Sequence, residues 1–342
     1  MIESDTATKI MKKAIDFCIK NGENKSVWGG TIPSDINDPN SPNDFKRDMV
    51  ELPPGFTMVL TNPIARWTNL SDHAIFITLR ETEDHLMKKN PGNIIKYSKL
   101  YSRWLNEYGF FNYTYGERLF AYPYNLDQIS GQKRKIDLEF NQIERVIKLL
   151  KENPSSRKVC VSTWYPPVDL GNNYCPCNAL FQFRIVDDKL DLIVTTRSLD
   201  ILRGFSENIF EFTIFQEYVS NRLEVPLGKY ITVALNAHLY KNMIDAGYHN
   251  ETVPDPYDTF TPKPAFETPF PSEEFKKIDS LLFSEYYNDA LVHAQKLSEY
   301  WKNWKIALIT DYARLKKRFD IVEQYLPLIT NEFRYPIERR LK

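Results

Sequence analysis

The segment from Cys177 to Tyr240 constrains this chain more than any other feature of its sequence, because it carries chemically different side chains in a fixed order. A thiol comes first, a guanidinium beside a hydroxyl follows, and an imidazole near a phenol comes last. The residues are, in order, Cys177, Asn178, Arg197, Ser198, Asp200, Gly204, Asn208, His238 and Tyr240. Each type is common, but the ordered set indicates a nucleophile, a phosphate clamp and a base-reading amide.

Composition excludes several classes of partner. The 342 residues allow one large domain, or one domain with an appendage. A net charge of -1 gives no overall field for a nucleic acid polymer or an anionic membrane. The chain has no apolar run long enough for a membrane span and no signal-peptide pattern. Four scattered cysteines do not make a disulfide framework, so we expect a cytoplasmic protein with free thiols.

Apolar periodicity and β-forming residues predict the elements around that segment. Helices are predicted at residues 6–20, 139–151 and 209–218. Strands are predicted at residues 159–164, 180–186 and 190–195. Asp187-Asp188 separates the last two strands and indicates a hairpin. Residues 29–55, rich in Gly, Asp, Asn and Pro, are predicted to form a long irregular loop.

The chain divides by composition into three parts. Residues 1–250 are predicted to form a mixed α/β catalytic domain. Six prolines in 251–271 predict an extended linker. Beyond it, 272–302 and 304–324 have the pattern of two long helices, so 272–342 is predicted to be a helical C-terminal extension.

The ordered residues resemble those of thymidylate synthase and its relatives, the hydroxymethylases of dCMP, dUMP and CMP. The shared pattern is Pro-Cys, Gln-Phe, Arg-Ser-x-Asp-x-x-x-Gly-x-x-x-Asn and His-x-Tyr, which this chain reproduces without a gap. Clear similarity covers roughly residues 115–240. The resemblance implies the α/β (α+β) thymidylate synthase fold, in which a mixed, largely antiparallel sheet packs against helices. It also implies a homodimer with composite sites.

Cys177 takes the place of the family's nucleophile. Addition of a thiolate to carbon 6 of a pyrimidine would make carbon 5 nucleophilic toward the one-carbon unit of 5,10-methylenetetrahydrofolate. The site must then favour the thiolate, and a nearby arginine is the usual means. The alternative is a small buried hydrophobic residue, as most free cysteines are. No second cysteine pair or histidine cluster accompanies Cys175-x-Cys177, so we expect no metal.

The other family residues map to the nucleotide. Arg197 and Ser198 match the phosphate-binding pair, and Arg157 and Lys158 match an Arg-Arg pair that the partner subunit donates. Asn208 matches the residue that selects uracil, since a carboxamide meets both the imide N–H and a carbonyl; its alternative is an ordinary helix-start asparagine. His238 and Tyr240 match the pair that binds the sugar 3′-hydroxyl.

A further set maps to the folate and to proton transfer. By resemblance, Asp200, Gly204, Trp104 and Tyr101 line the folate pocket, with Tyr101 where the family has a tryptophan. Tyr115, in a Tyr-Gly motif, matches the tyrosine that assists proton transfer at carbon 5. Glu81 is the candidate catalytic glutamate, and the alternative for it is a solvated surface position.

Four departures from the family pattern direct the choice of activity. Asn178 replaces the histidine after the nucleophile, and Ala234-Leu235-Asn236 replaces Gly-Gly-Asp. The N-terminal phosphate arginine has no match, leaving Arg47 or Arg66 as substitutes, and the helical extension replaces the tail that seals the site. We therefore expect a hydroxymethylase that uses water on a uridylate. The alternatives are thymidylate synthase proper and a non-catalytic nucleotide-binding relative.

Overall fold

The protein, analysed as a computed structural model, combines three sheets with helices packed against them in the described residues. The described residues are 1–28, 46–70, 75–90, 92–123, 139–172, 174–247, 254–258 and 270–341. Their mixture of helices and mixed sheets confirms the predicted α/β class. None of the helices in these ranges has the length and apolar character needed to cross a bilayer.

The strands in the described residues are short, and all of them lie before residue 241. They are β1 (Ile2–Ser4), β2 (Glu23–Trp28), β3 (Lys46–Glu51), β4 (Phe56–Leu60), β5 (Tyr122–Pro123), β6 (Glu139–Phe140), β7 (Cys160–Ser162), β8 (Asn178–Val186), β9 (Lys189–Thr196), β10 (Leu199–Asp200), β11 (Leu227–Ala234) and β12 (Ala237–Tyr240).

The helices occur throughout the chain. They are α1 (Ala7–Asn21), α2 (Ile75–Leu86), α3 (Ile94–Tyr97), α4 (Tyr115–Phe120), α5 (Gln142–Glu152), α6 (Pro166–Asp169), α7 (Gly204–Leu223), α8 (Lys241–Asp245), α9 (Ser272–Phe283), α10 (Tyr287–Ala294), α11 (Glu299–Leu315), α12 (Phe319–Tyr325) and α13 (Asn331–Leu341). Short 3₁₀ turns lie at Lys99–Trp104, Pro256–Asp258 and Leu326–Leu328.

The six-stranded sheet has the order β1-β4-β11-β9-β8-β7 and mixes parallel with antiparallel pairs. Strands β7, β8 and β9 are antiparallel neighbours, whereas β9 and β11 are parallel. The predicted hairpin is confirmed: Asp187 and Asp188 both have positive φ, at 49° and 57°. Two consecutive left-handed residues match the twist of the flanking strands, and aspartate tolerates that conformation better than most residues.

A four-stranded sheet, β10-β12-β3-β2, carries part of the candidate site. The predicted irregular loop over 29–55 is wrong at its end, because residues 46–51 form β3. This strand pairs on both sides, with β2 and with β12, so its backbone groups are satisfied despite the polar sequence around it. Residues 29–45 of the predicted loop lie outside the described residues.

Helix α7 organises the first hydrophobic core. The predicted core helix at 209–218 is confirmed and extends to Gly204–Leu223. Its residues Phe205, Ile209 and Phe212 are buried against α1, α5 and the six-stranded sheet. The predicted helices at 6–20 and 139–151 are also confirmed, as α1 and α5.

A second hydrophobic core joins the C-terminal helices to α2 and α7. It buries Trp301 and Trp304 together with Phe76, Leu79 and Phe210. The predicted pair of long helices is wrong: residues 272–341 form the five helices α9 to α13. The first break follows α9, where Glu285 has φ of 63°, and another follows α11, where Lys317 has φ of 58°. Left-handed residues of this kind end helices without a glycine to mark the position.

Candidate active site

Cys177 lies just before β8, where Arg197 at the end of β9 reaches it. The Arg197 backbone N–H donates to the Cys177 carbonyl at 2.8 Å. The Arg197 Nε donates to the Pro176 carbonyl at 2.9 Å, and Nη2 donates to the Cys175 carbonyl at 3.1 Å. Nη2 also lies 3.9 Å from the Cys177 Sγ. The guanidinium is therefore locked beside the thiol by the loop that carries it.

Burial and the nearby Arg197 act in opposite directions on the pKa of the Cys177 thiol. Burial raises the pKa of the thiol above its ordinary value, and Arg197 only partly opposes that effect. Formation of the thiolate at Cys177 stays a prediction, and a second positive charge or a base beside the thiol would favour it.

Asn178, which follows Cys177 and begins β8, connects this strand to two other elements. Its Nδ2 donates to the Tyr115 hydroxyl at 2.8 Å, and its backbone N–H lies 3.2 Å from the same oxygen. Its Nδ2 also donates to the Asn208 Oδ1 at 3.2 Å, and the Asn208 Nδ2 lies 3.4 Å from the Asn178 Oδ1. The paired carboxamides hold Asn208 in place. Asn208 keeps one N–H and one lone pair for a ligand, whereas both N–H groups of the Asn178 side chain are already used.

The Tyr115-Gly116 motif has a steric explanation. A Cβ on Gly116 would stand 2.4 Å from the His85 carbonyl oxygen and 2.6 Å from the His85 Cα. Only glycine lets α4 approach α2 this closely. The approach places the Tyr115 ring edge-on to the His85 ring, with centroids 5.9 Å apart.

His238 has one satisfied and one unsatisfied nitrogen. Its Nδ1 lies 2.7 Å from the Asn236 Oδ1, while its buried Nε2 has no hydrogen-bond partner among the described residues. Burial lowers the pKa of the imidazole, so it is neutral at pH 7. With the proton on Nδ1, Nε2 accepts a hydrogen bond. Asn236, which the sequence marked only as a departure, therefore orients His238.

Of the two arginines offered as substitutes for the N-terminal phosphate ligand, only Arg47 lies near this group. Its guanidinium carbon is 5.3 Å from the centroid of the Tyr240 ring. Arg66 is instead committed to a buried ion pair, with its Nη2 2.5 Å from the Glu217 Oε2. Residue Met49 on the same strand as Arg47 pairs with Tyr240, which fixes this neighbourhood.

Ser198, Asp200 and Gly204 occupy the connection from β9 to α7. The Asp200 Oδ1 accepts hydrogen bonds from the backbone N–H groups of Leu202, at 2.9 Å, and Arg203, at 3.3 Å. Its Oδ2 is buried and has no hydrogen-bond partner among the described residues. At Gly204 the nearest atom to an added Cβ is 3.9 Å away, so this glycine is not required by packing.

An aromatic wall lies beside these residues. The rings of Tyr101 and Trp104 meet edge-to-face with centroids 4.6 Å apart, and Trp104 lies 6.5 Å from Tyr174. Burial raises the pKa of Tyr101, with Glu81 and Glu207 adding to the effect. The aromatic wall therefore adjoins carboxyl groups of α2 and α7.

Two candidate residues do not contact Cys177 or Arg197 in the ranges that the structure describes. Arg157 and Lys158 are exposed and precede β7 at the edge of the six-stranded sheet. The carbonyl of Arg157 accepts a hydrogen bond from the Gln182 Nε2 at 3.3 Å. No contact of either residue with Cys177 or Arg197 occurs within the described part of this chain.

Sequence reasoning missed a ladder of ionisable groups between α2 and α7. Glu81 and His85 are one turn apart on α2, and Glu207 and Glu211 are one turn apart on α7. His85 Nδ1 contacts Glu211 Oε1, so the neighbouring turns bring Glu81 toward Glu207. The spacing of four residues in each pair is the signal that the sequence offers, but the helix that it predicts, 209–218, begins after Glu207.

The ladder carries shifted pKa values. Burial opposes charge on His85, but Glu211 outweighs it and raises the His85 pKa to about 9. Burial raises the pKa of Glu81 to about 7, although His85 opposes the shift. Burial, with the nearby Glu81 carboxyl, raises the pKa of Glu207 to about 8. Glu207 therefore holds a proton at neutral pH. Among the described residues, no group of three or more His, Cys, Asp or Glu is arranged to hold a metal ion.

Comparison with known proteins identifies the family. The sequence model described as thymidylate synthase matches residues 54–275, which is more than half of the chain. This chain belongs to the thymidylate synthase family, as the sequence resemblance predicted.

Individual relatives are similar over parts of the chain. A "putative thymidylate synthase" of Methanosarcina mazei is 38% identical over 130 residues, which cover 38% of this chain and 54% of that protein. The thymidylate synthase of Haloferax volcanii is 26% identical over 205 residues, covering 57% and 58%. That of Buchnera aphidicola subsp. Schizaphis graminum is 25% identical over 238 residues, covering 69% and 81%. The chain thus spans little more than half the length of the first two.

The Glu207→Gln variant tests whether the Glu207 carboxyl holds a proton in the folded protein. The native Glu207 keeps its proton up to about pH 8, whereas the unfolded chain releases it near pH 4.3. The protonated Glu207 carboxyl therefore contributes fully to the free energy of unfolding at low pH. This contribution is lost as the pH rises between the two pKa values, by at most about 1.4 kcal/mol per pH unit. Urea unfolding at pH 5 and pH 8 should show Glu207→Gln gaining stability relative to wild type as the pH rises.

Glu224→Gln, at the exposed end of the same helix, is the control. Its difference from wild type should stay nearly constant with pH. A Glu207→Gln difference that is equally constant would show that Glu207 is ionised throughout.

Proposed function

We propose that this chain transfers a one-carbon unit from methylenetetrahydrofolate to carbon 5 of a uridylate and that water completes the reaction, giving a 5-hydroxymethyl nucleotide. The observation that carries this proposal is the Cys177 thiol beside Arg197 and next to the Asn178–Asn208 amide pair. A nucleophile, a cation and a base-reading carboxamide are thereby in one place, as covalent catalysis on a pyrimidine requires.

Separate side chains would bind the base, the sugar and the phosphate of the nucleotide. Asn208 would meet the uracil edge, because its carboxamide keeps an acceptor and a donor after pairing with Asn178. His238 offers the free Nε2 as an acceptor for a sugar hydroxyl, with Tyr240 beside it. Arg197 and Ser198 would bind phosphate, and Arg47 is placed near Tyr240 to add charge.

The residues present fit a folate. The buried Asp200 Oδ2 lacks a partner among the described residues, and a pterin-type ring offers N–H donors for it. Tyr101 and Trp104 supply an apolar wall for a flat ring. When bound, methylenetetrahydrofolate supplies the one-carbon unit at the oxidation level of formaldehyde.

This chain's own residues would handle the protons. The sulfur of Cys177 would add to carbon 6, and carbon 5 would then attack the one-carbon unit. Loss of the proton from carbon 5 would break the bond between that unit and the folate nitrogen, so that tetrahydrofolate leaves and an exocyclic methylene remains on the ring. Tyr115, whose hydroxyl accepts from Asn178, lies near enough to assist that proton transfer. Glu81, with a pKa of about 7, could take up a proton near neutral pH and would orient water at the site.

Water is favoured as the final nucleophile because the site is polar where the family excludes water. Glu81 and Glu207 face each other beside Tyr101. A closed, dry site would protect the exocyclic methylene for hydride transfer. Carboxyl groups beside it would instead hold an ordered water. The water oxygen would add to the methylene carbon, its proton would pass to the Glu81 carboxylate, and the sulfur would leave carbon 6 as a thiolate.

The product assay decides between the candidates. The protein is incubated with dUMP, UMP, dCMP or CMP plus methylenetetrahydrofolate, and products are identified by mass. We expect a hydroxymethyl uridylate without the near-ultraviolet rise of dihydrofolate. A methylated product with equal dihydrofolate would make the chain a thymidylate synthase proper. A cytidylate product would contradict the role of Asn208. Binding without any turnover would indicate a non-catalytic relative.

We further propose a homodimer formed through the six-stranded sheet. The face opposite α7 has half-buried or exposed residues that pair across three strands: Leu180 with Thr195, Thr195 with Val233, and Ile193 with Ile231. Four of these five residues are apolar, and such a face suits a second copy. Gln182 on this face holds the carbonyl of Arg157, so Arg157 lies at its rim and would reach the partner's site. The added charge would lower the Cys177 pKa.

Subunit mixing tests the shared site. Cys177→Ser and Arg157→Ala chains should each be inactive alone. Mixed in equal amounts after subunit exchange, they should recover about one quarter of wild-type activity, since half of the dimers are hybrids with one intact site. The matched control mixes Cys177→Ser with Arg197→Ala, two residues of the same site, and should recover nothing. Equal behaviour of the two mixtures would contradict the composite site.

A further inference from the structure

Helix α2 separates the candidate active site from the C-terminal helices. Its residues Glu81 and His85 face α7 and the site. Its residues Arg80 and Glu83 are each 0% exposed and face α9 and α11. The same helix thus carries site groups on one side and fully buried charges on the other.

The buried charges form a network that α2 shares with the C-terminal helices. The Arg80 Nη1 lies 3.0 Å from the Asp279 Oδ1 on α9. The Lys305 Nζ, on α11, lies 2.5 Å from the Glu83 Oε1 and 2.7 Å from the Asp279 Oδ1. Within α2, the Arg80 Nη2 also contacts Glu83, at 2.6 Å, and Asp84, at 2.9 Å.

Loss of any one charged side chain from this network would be destabilising. Lys305 is 1% exposed, so its charge is compensated by Glu83 and Asp279 rather than by water. Burial opposes ionisation of Asp279, but Arg80 and Lys305 outweigh it and hold the pKa of its carboxyl below the ordinary value. Removing one charge from such a network leaves another buried and uncompensated.

The network also fixes the end of α2. The Asp84 Oδ2 accepts a hydrogen bond from the Ile94 backbone N–H at 3.0 Å, and the Asn93 Nδ2 donates to the Asp279 Oδ2 at 3.1 Å. The Lys305 Nζ also lies 4.2 Å from the centroid of the Phe275 ring. The position of α2 therefore depends on α9 and α11 through directional contacts as well as through apolar packing.

We propose that Asp279 and Lys305 are positioning residues: they hold α2 through Arg80 and Glu83, and so hold Glu81 and His85 at the active site. Both lie beyond residue 275, where the family match ends. The C-terminal helices thus serve catalysis without contacting substrate. The catalytic part of this inference rests on the proposed function, whereas the mechanical part does not.

The test compares three variants. Lys305→Met removes the charge and keeps the chain length, and Asp279→Asn is a milder change of the same network. Lys302→Met is the matched control, because Lys302 lies one turn earlier on α11 and binds the exposed Glu299. Hydrogen exchange by mass spectrometry follows residues 75–86, and kcat and nucleotide affinity are measured on folded protein.

In Lys305→Met and Asp279→Asn, exchange in α2 should become about tenfold faster, while that of β9 stays unchanged. The kcat should fall about tenfold with the nucleotide Kd within about twofold, because the groups proposed to bind nucleotide do not belong to the network. Lys302→Met should resemble wild type in every measurement. If Lys305→Met does not fold, Asp279→Asn carries the same comparison.

Unchanged exchange in α2 would overturn the inference, as would faster exchange with unchanged kcat, which would make the network purely structural. An unmodified protein with no turnover would refute the proposed function instead. In that case the exchange of α2 still decides whether Asp279 and Lys305 hold the helix.

Discussion

The hydrogen bonds that Asn178 makes to Tyr115 and Asn208 are the interactions on which the rest of the site depends. They join β8, which follows the nucleophile, to α4 and to α7. Since all three residues are at least half-buried, leaving any of these amides or hydroxyls unpaired would be costly. One side chain therefore connects the strand that follows the Cys177 thiol to the Asn208 amide and to α4, the helix that approaches α2 through Gly116.

Around Asn178, burial rather than ion pairing determines the direction of the pKa shifts of Cys177, Glu81 and Glu207. The thiol of Cys177 and the carboxyls of Glu81 and Glu207 all have pKa values raised by desolvation. The carboxyls of Glu81 and Glu207 can therefore exchange a proton near pH 7, whereas burial holds the Cys177 thiol in its neutral form. The cations next to them, Arg197 and His85, weaken these shifts without reversing them.

The sequence predicted those parts of the fold and site that depend on local spacing. The hairpin at Asp187-Asp188, helix α7 and the proximity of Arg197 to Cys177 follow from turn chemistry, periodicity and the family pattern. The five C-terminal helices were not predictable as five, because Glu285 and Lys317 adopt left-handed conformations without glycine. Glu207 and Glu211 lie in a helix whose pattern is otherwise apolar. They could not be predicted as site residues because their role depends on which helix packs against them.

The central claim is that Cys177 attacks the nucleotide, and the most direct measurement is the turnover of Cys177→Ser beside its nucleotide affinity. The account predicts a loss of turnover of about 10³-fold or more, with dUMP binding nearly intact because phosphate, sugar and base contact other residues. Cys160→Ser, a change at an exposed cysteine, should keep full activity. Substantial turnover by Cys177→Ser would contradict covalent catalysis by this residue.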